Sequence, residues 1–370
     1  MSNEAFKDHI YALIFCGGGG TRLWPFSKDA RPKQFLKING DKTLVRQTFE
    51  RINSFIPAER TWIVTTPDYP DEVAEELPEI PKKQVLVEPA RRNTAMAAGL
   101  GAVAIRKLDP QAIIVNIWSD QLITGQKEHE KAILAGASVA WNGDNLVALG
   151  IKPRYAHTGL GYIKKGEVFD VIDGVEVYKV EKFTEKPKKE VAKKMVSSGS
   201  YLWHEGTLIW RIETFMRALS QHSPETFKRL EEIAQNLDKV GGKDKIIKTY
   251  LSAPDMSIDV ALAEKAPNFY TVSGQYEWYD LGDFSVLWQI SKKDKEGNSF
   301  ISLDEGKWVG IDTFDSMVVS EGKRIVATVG LTDIVVVATD NAVLVIPKAL
   351  AQKVKKIVEK LKEEKSKDFL

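Results

Sequence analysis

The stretch CGGGGTRLWPFSKDARPKQF (16–35) sets four successive glycines before an arginine, with a lysine further along. Consecutive glycines let backbone N–H groups turn toward an anion and let a flat base or a polyphosphate approach closely. Arg22 adds a guanidinium fork for phosphate oxygens, and Lys33 adds a point charge. The two familiar phosphate loops do not fit. In the G-x-G-x-x-G frame the last glycine is replaced by Arg22 or Leu23, and no Lys-Ser or Lys-Thr follows as a Walker A loop requires. Taken alone, Gly17–Thr21 fits a phosphate cradle and a plain glycine-rich turn equally well. Two carboxylates add chemistry downstream: Asp120 ends the run AIIVNIWS, and Asp280 lies in WYDLG. Each alone is equally a turn or capping aspartate. No Ser-His-Asp or Cys-His arrangement stands out.

Elements that could position these groups alternate through the first half. Residues 11–16, 62–65, 84–87, 112–118 and 146–151 are short apolar runs of the buried-strand type. Helical spacing over 93–107 and 127–141 separates them, predicting an α/β fold with a doubly wound, mostly parallel, Rossmann-like sheet. Ligands in such sheets bind at the carboxyl ends of strands. The glycine loop, Glu88 and Asp120 all fall at such ends. From Gly174 the texture changes: strands are expected in GVEVYKVEKFTEKP and YLWHEGTLIW, and helices over about 188–198 and 212–265. After the polar stretch 291–299 come short β runs punctuated by Gly, Asp and Asn, with no strict repeat period. They predict a small C-terminal, β-helix-like unit of stacked turns. The expected domains are 1–295 and 296–370. The tail reads as a basic amphipathic helix; packing on the β unit is favoured over a membrane or partner face.

Composition narrows the function classes. Lys+Arg 52 against Asp+Glu 51 gives a net charge of +1, so no global field recruits nucleic acid or a membrane. A single cysteine, Cys16, excludes an intrachain disulfide and reads as a buried thiol. The five histidines never fall at HxH or HxxxH spacing, which argues against zinc. The first apolar run is too short for a signal segment, and none approaches the ~18 residues that span a bilayer. A cytoplasmic location is expected.

The motif GGGGTRLWPFS…RPKQFL resembles the N-terminal signature of sugar nucleotidyltransferases, and Trp24 with Gln34-Phe35 resembles the mannose-1-phosphate guanylyltransferases. EPARRNTA (88–95), SDQLI (119–123), TGLGYI (158–163), FTEKP (183–187), YLWHEG (201–206), SIDVALAEKA (257–266) and WYDLGDF (278–284) continue the match in order. The β unit resembles that family's C-terminal segment, and no isomerase-type cupin domain is expected after it. The resemblance implies that GTP and mannose 1-phosphate give GDP-mannose and pyrophosphate. It implies Mg²⁺ held by Asp120 and Asp280, with Arg22 and Lys33 on the triphosphate and Lys186 on the sugar phosphate. Gly17, Gly18, Gly19, Gly20 and Thr21 would cradle the nucleotide. Glu88 would accept guanine N1–H and N2–H₂, and Arg92, Asn93 and Thr94 would reach base or ribose, although Asn93 is equally an N-cap. Gly161, Glu185 and His204 would meet the sugar. Asp283 is expected to cap the next helix. A homodimer is expected by analogy alone.

Three departures from the family pattern bear on specificity. The usual Asp-His is Asp120-Gln121, the usual Trp-Asn-Ser-Gly is Trp203-His204-Glu205-Gly206, and Met96 replaces a proline. His204 donates and accepts with a reach unlike that of Asn, and Glu205 beside it would raise its pKa. Two alternatives therefore stand: the same chemistry on another hexose 1-phosphate or nucleotide, and an impaired GDP-sugar-binding regulatory relative.

Overall fold

The computed structural model describes residues 5–18, 20–38 and 40–370. The chain forms two compact units, and neither is continuous in sequence. The first holds the chain through Gly17, then Phe49–Ser119 and Ile123–Trp278; the second holds Gly18–Thr48, Asp120–Leu122 and Tyr279–Leu370.

Strands in chain order are β1 (Ile10–Cys16), β2 (Thr61–Thr65), β3 (Val85–Val87), β4 (Ile113–Trp118), β5 (Gln121–Thr124), β6 (Leu146–Ile151), β7 (Gly161–Ile172), β8 (Val175–Thr184), β9 (Tyr201–Arg211), β10 (Phe269–Gly274) and β11 (Glu277–Asp280). The first unit is built on a nine-stranded sheet ordered β3-β2-β1-β4-β9-β6-β10-β8-β7. β3, β2, β1 and β4 run parallel, as does the β6–β10 pair, while β9 lies antiparallel between β4 and β6. β1 and β4 read as near-continuous apolar runs because helices cover both faces of a parallel sheet. The helix Asn93–Arg106 is buried along most of its length, and its small residues permit close approach. A methyl group at Gly99 would collide with Leu230, and one at Gly101 with Leu13.

The helical region expected over 212–265 divides into Ile212–His222, Pro224–Ala234, Gly242–Leu251 and a π-turn at Asp259–Ala263. Pro224 sits at the first turn of its helix, where a missing N–H is harmless, so one helix ends and the next begins there. β7 and β10 carry no signal strong enough for sequence reading. Much of β7 is exposed and polar, and β10 (FYTVSG) has only three aliphatic or aromatic residues.

In the second unit, β12 (Ser299–Ser302), β14 (Met317–Ser320) and β16 (Ile334–Ala338) stack in parallel, and β17 (Val343–Pro347) closes on β16 antiparallel. β13 (Lys307–Ile311) and β15 (Ile325–Val329) form a second parallel pair. The β-helix-like expectation holds, but the absence of a repeat does not. Ser316 N–H donates to Asn298 Oδ1 and Ile334 N–H to Ser316 Oγ, each 18 residues along the chain. The period lies in backbone demands rather than identities. Gly297, Asp315 and Asp333 all have left-handed φ (78°, 45° and 58°), as do Asp312 and Gly330 (48° and 66°). Gly and Asp are among the residues that tolerate that region.

Leu23, Trp24 and Phe26 of the glycine-loop segment share one core with Leu281, Phe284, Val319, Val337, Val354 and Val358. The Trp24 indole also donates to Phe369 O (2.6 Å), and Arg31 pairs with Glu321 (2.5 Å). The tail helix Val354–Glu363 buries Val354 and Val358 in that core, as its apolar stripe requires. Among the described residues no helix is long and apolar enough to cross a membrane.

Candidate active site

In the second unit, the cations and carboxylates singled out in the sequence converge. Lys33 Nζ lies 2.8 Å from Asp120 Oδ2 and 3.6 Å from Asp280 Oδ1, although Lys33 is only 4% exposed. Burial alone would push the ammonium pKa down; the two carboxylates outweigh it and hold the pKa above its ordinary value. Arg22 belongs to the same group. A Cβ on Gly282 would stand 3.2 Å from Asp280 Oδ2 and 3.4 Å from Arg22 Nη2. Gly20 is the hinge of this arrangement. Its φ is +56°, and it precedes the short 3₁₀ turn Thr21–Leu23. A Cβ there would lie 2.6 Å from Ser27 Oγ and 2.8 Å from Lys33 Cβ. Gly20→Ala is therefore expected to destabilise the fold by about 1–2 kcal/mol from backbone conformation alone. It also displaces Lys33, so thermal melts and turnover should both fall. Gly18 has open space around its Cα, and Gly19 lies outside the described residues.

In the first unit, the carboxyl ends of the parallel strands are stitched together. Thr65 Oγ1 donates to Cys16 O (2.7 Å), Ser119 Oγ donates to Phe15 O (2.6 Å), and Glu88 N–H donates to Thr65 O (2.9 Å). Gly17 closes on this edge: a Cβ there would meet Thr66 Cγ2 at 3.2 Å and Glu88 Oε1 at 3.8 Å. Burial raises the Glu88 pKa, against a hydrogen bond from the Tyr250 hydroxyl (2.6 Å) and the nearby Arg91 charge. Arg92 donates to Leu251 O (2.5 Å). Asn93 has φ +59°, and its Oδ1 accepts from Thr94 N–H (3.0 Å); the N-cap position is Arg92, which makes no side-chain cap bond, so Asn93 is not the N-cap. The Thr94 hydroxyl accepts Ile258 N–H at 2.8 Å, so it ties the helix start to the 256–259 segment.

The third group also lies in the first unit. Gly161 on β7 pairs directly with His204 on β9. A Cβ at Gly161 would lie 2.8 Å from Glu185 Oε2 and 3.3 Å from His204 Cβ, so these side chains crowd onto Gly161 and would have to shift for a larger residue. Lys186 pairs with Glu185 at 2.6 Å and carries a left-handed φ of 44°. In the second unit, Asp283 caps its helix as expected, accepting from Ser285 and Val286 N–H.

The model of the nucleotidyl transferase family matches residues 11–297, and that of the MannoseP isomerase/GMP-like beta-helix domain matches 306–361. This chain belongs to the nucleotidyl transferase family. A relative from Escherichia coli O157:H7, named mannose-1-phosphate guanylyltransferase 2, is 33% identical over 98% of this chain and 75% of its own length. Mannose-1-phosphate guanylyltransferase of Escherichia coli K12 is 32% identical over 96% of this chain and 74% of its own. A Thermus thermophilus structure described as a mannose-1-phosphate geranyltransferase superposes with a TM-score of 0.84 at 30% identity. It covers 96% of this chain and 99% of its own.

For a nucleotidyl transferase, the Asp120–Asp280 pair fits a hard divalent cation. Its donors are carboxylate oxygens. Mg²⁺ commonly takes one or two protein carboxylates and completes its shell with phosphates and water. Among the described residues no group of three or more His, Cys, Asp or Glu side chains is arranged to hold a metal ion.

Sequence reading passed over two parts of the site. Asp259, inside the quoted SIDVALAEKA, stands 3.4 Å from His204 Nε2. Glu205 does raise the His204 pKa, but Asp259 contributes more. The second omission is the set of groups around Glu205. Arg51, His129, Glu205 and Tyr276 are all buried, and Arg51 acts electrostatically on both Glu205 and His129. His129 and Tyr276 meet edge-on at 4.9 Å. Period-2 alternation in YLWHEG was the available signal, since it sends His204 and Glu205 to opposite faces of β9.

Proposed function

We propose that this chain forms GDP-mannose and pyrophosphate from GTP and mannose 1-phosphate. A phosphate oxygen of the sugar phosphate attacks the α-phosphorus in line; that P–O bond forms as the bond to the β-phosphate bridging oxygen breaks. No protein nucleophile is needed, so the task is to hold two anions together and neutralise the charge that develops. Arg22 and Lys33 supply fixed cations on the triphosphate side, and Lys186 supplies one for the sugar phosphate. Glu88 accepts the guanine donors that adenine lacks. A divalent cation at Asp120 and Asp280 would neutralise phosphate charge and polarise the phosphoryl oxygens.

The convergence of Asp120 and Asp280 on the buried Lys33 ammonium carries this reading. The test is pyrophosphate release across a grid of nucleotides and hexose 1-phosphates with Mg²⁺. The expected maximum is GTP with mannose 1-phosphate; preference for UTP or dTTP overturns it. His204 in place of the usual Asn favours one second reading, the same reaction on another hexose 1-phosphate, and the same grid decides that too. Tight GDP-mannose binding without turnover would instead mark a regulatory relative.

A further inference from the structure

His204 is buried on β9, with Phe183 edge-on at 5.3 Å, and Gly161, its pairing partner on β7, is closed in by Glu185, Phe183 and His204 itself. Its two ring nitrogens differ. Nε2 faces Asp259 Oδ1 at 3.4 Å, whereas Nδ1 is buried and has no hydrogen-bond partner among the described residues. Buried polar atoms in native proteins are nearly always satisfied, so this orphan, on a residue that pairs with Gly161 and feels the Glu185 charge, points to a ligand atom.

We propose that Asp259 is a positioning residue for sugar recognition. Paired with His204 Nε2, it fixes the imidazole so that Nδ1 is the atom that meets a hydroxyl or phosphate oxygen of a hexose 1-phosphate. The inference rests on the function proposed above and adds a residue and a charge state to it.

With Nε2–H committed to a carboxylate, the neutral ring offers Nδ1 only as an acceptor, and the protonated ring offers it as a donor. Burial would lower the imidazole pKa, but Asp259, then Glu205 and Glu185, outweigh it and favour the cation. Asp259 in turn stays ionised. Burial would raise its pKa, and the His204 hydrogen bond and charge, with Lys186 contributing, lower it overall. Arg51 tempers Glu205 from the other side of β9. The carboxylate is held in place from the nucleotide-side segment. The Thr94 hydroxyl accepts Ile258 N–H (2.8 Å), and Ala95 N–H donates to Met256 O (3.1 Å), one and three residues before the turn that starts at Asp259. Through that short path the start of helix Asn93–Arg106 positions the sugar reader.

The test is the pH dependence of KM for the sugar phosphate in the wild-type chain, Asp259→Asn, Asp259→Glu and His204→Asn. The wild-type KM should rise about 10- to 100-fold as pH is raised from about 6 to about 9, the effect of losing one charge-assisted hydrogen bond, while KM for GTP stays level. Asp259→Asn should move the inflection to lower pH, Asp259→Glu should restore part of it, and His204→Asn should abolish it. An inflection shared by the wild type and Asp259→Asn overturns the inference, as does an equal rise in KM for GTP, which marks a merely structural role. NMR titration of His204 in the ligand-free chain separates the two levels of claim. An imidazole that titrates alike with and without the Asp259 carboxylate overturns the positioning role even in an active enzyme. A shifted imidazole in a chain that turns over no hexose 1-phosphate at any pH overturns the guanylyltransferase reading instead.

Discussion

Asp120→Asn and Asp280→Asn are each expected to lower turnover by about 10²–10³-fold, the range seen when one fixed electrostatic group is removed from a transition state. Each asparagine preserves shape and removes charge, and the charge has two uses. It offers a hard oxygen to a divalent cation, and it compensates Lys33, whose ammonium is buried against both carboxylates. Without one partner, burial gains on the remaining carboxylate and the Lys33 pKa falls. The variants should therefore lose their residual activity at a lower alkaline pH than the wild type does. In the wild type the Lys33 pKa lies above 10.5, so the stability it contributes is complete below that value. It is lost only as pH rises through the raised one. Pyrophosphate release against pH and Mg²⁺ concentration checks both parts; full activity in both variants would sink the site assignment.

Arg51→Met carries the largest expected effect on stability. Removing one partner from a buried charged set typically costs about 3–5 kcal/mol, because the other charge is left uncompensated. Here that charge is Glu205, 1% exposed, whose pKa is already raised by burial against the opposing effects of Thr207, His204, Arg51 and Tyr276. A carboxyl whose folded pKa is raised penalises the folded state above that pKa, and the penalty is relieved as pH falls through it. Losing Arg51 raises it further. The deficit of Arg51→Met should therefore be large near neutral pH and shrink toward pH 5, and Arg51→Met with Glu205→Gln should recover most of it. Thermal or urea unfolding at the two pH values measures this. A deficit that stays constant with pH would show that Arg51 acts through packing alone.

The sequence was most legible where one chain segment carries the whole signal. Gly20, Arg22 and Lys33 fall within one short stretch, so their types and order made it a candidate phosphate cradle before any partner was known. The parallel strands β1 to β4 were legible because buried strands are apolar throughout. The rungs of the β-helix were harder. Their 18-residue period appears only in left-handed Gly and Asp positions and in ladder hydrogen bonds, which identity matching overlooks.

By itself, then, the sequence determined the family resemblance, through ordered motifs from the glycine stretch to WYDLGDF, and singled out Arg22, Lys33, Asp120 and Asp280 as candidates. Only the tertiary structure decided which groups act together. Leu23, Trp24 and Phe26 bury themselves with Leu281, Val319 and Val337, and that core sets the Arg22–Lys33 arm beside Asp120 and Asp280. Asp259 meets His204, and Arg51 acts on Glu205, across sequence separations that no local pattern encodes. The reason is physical. Periodicity and turn chemistry act over a few residues, whereas the pairing of buried charges is fixed by which apolar surfaces must leave water together.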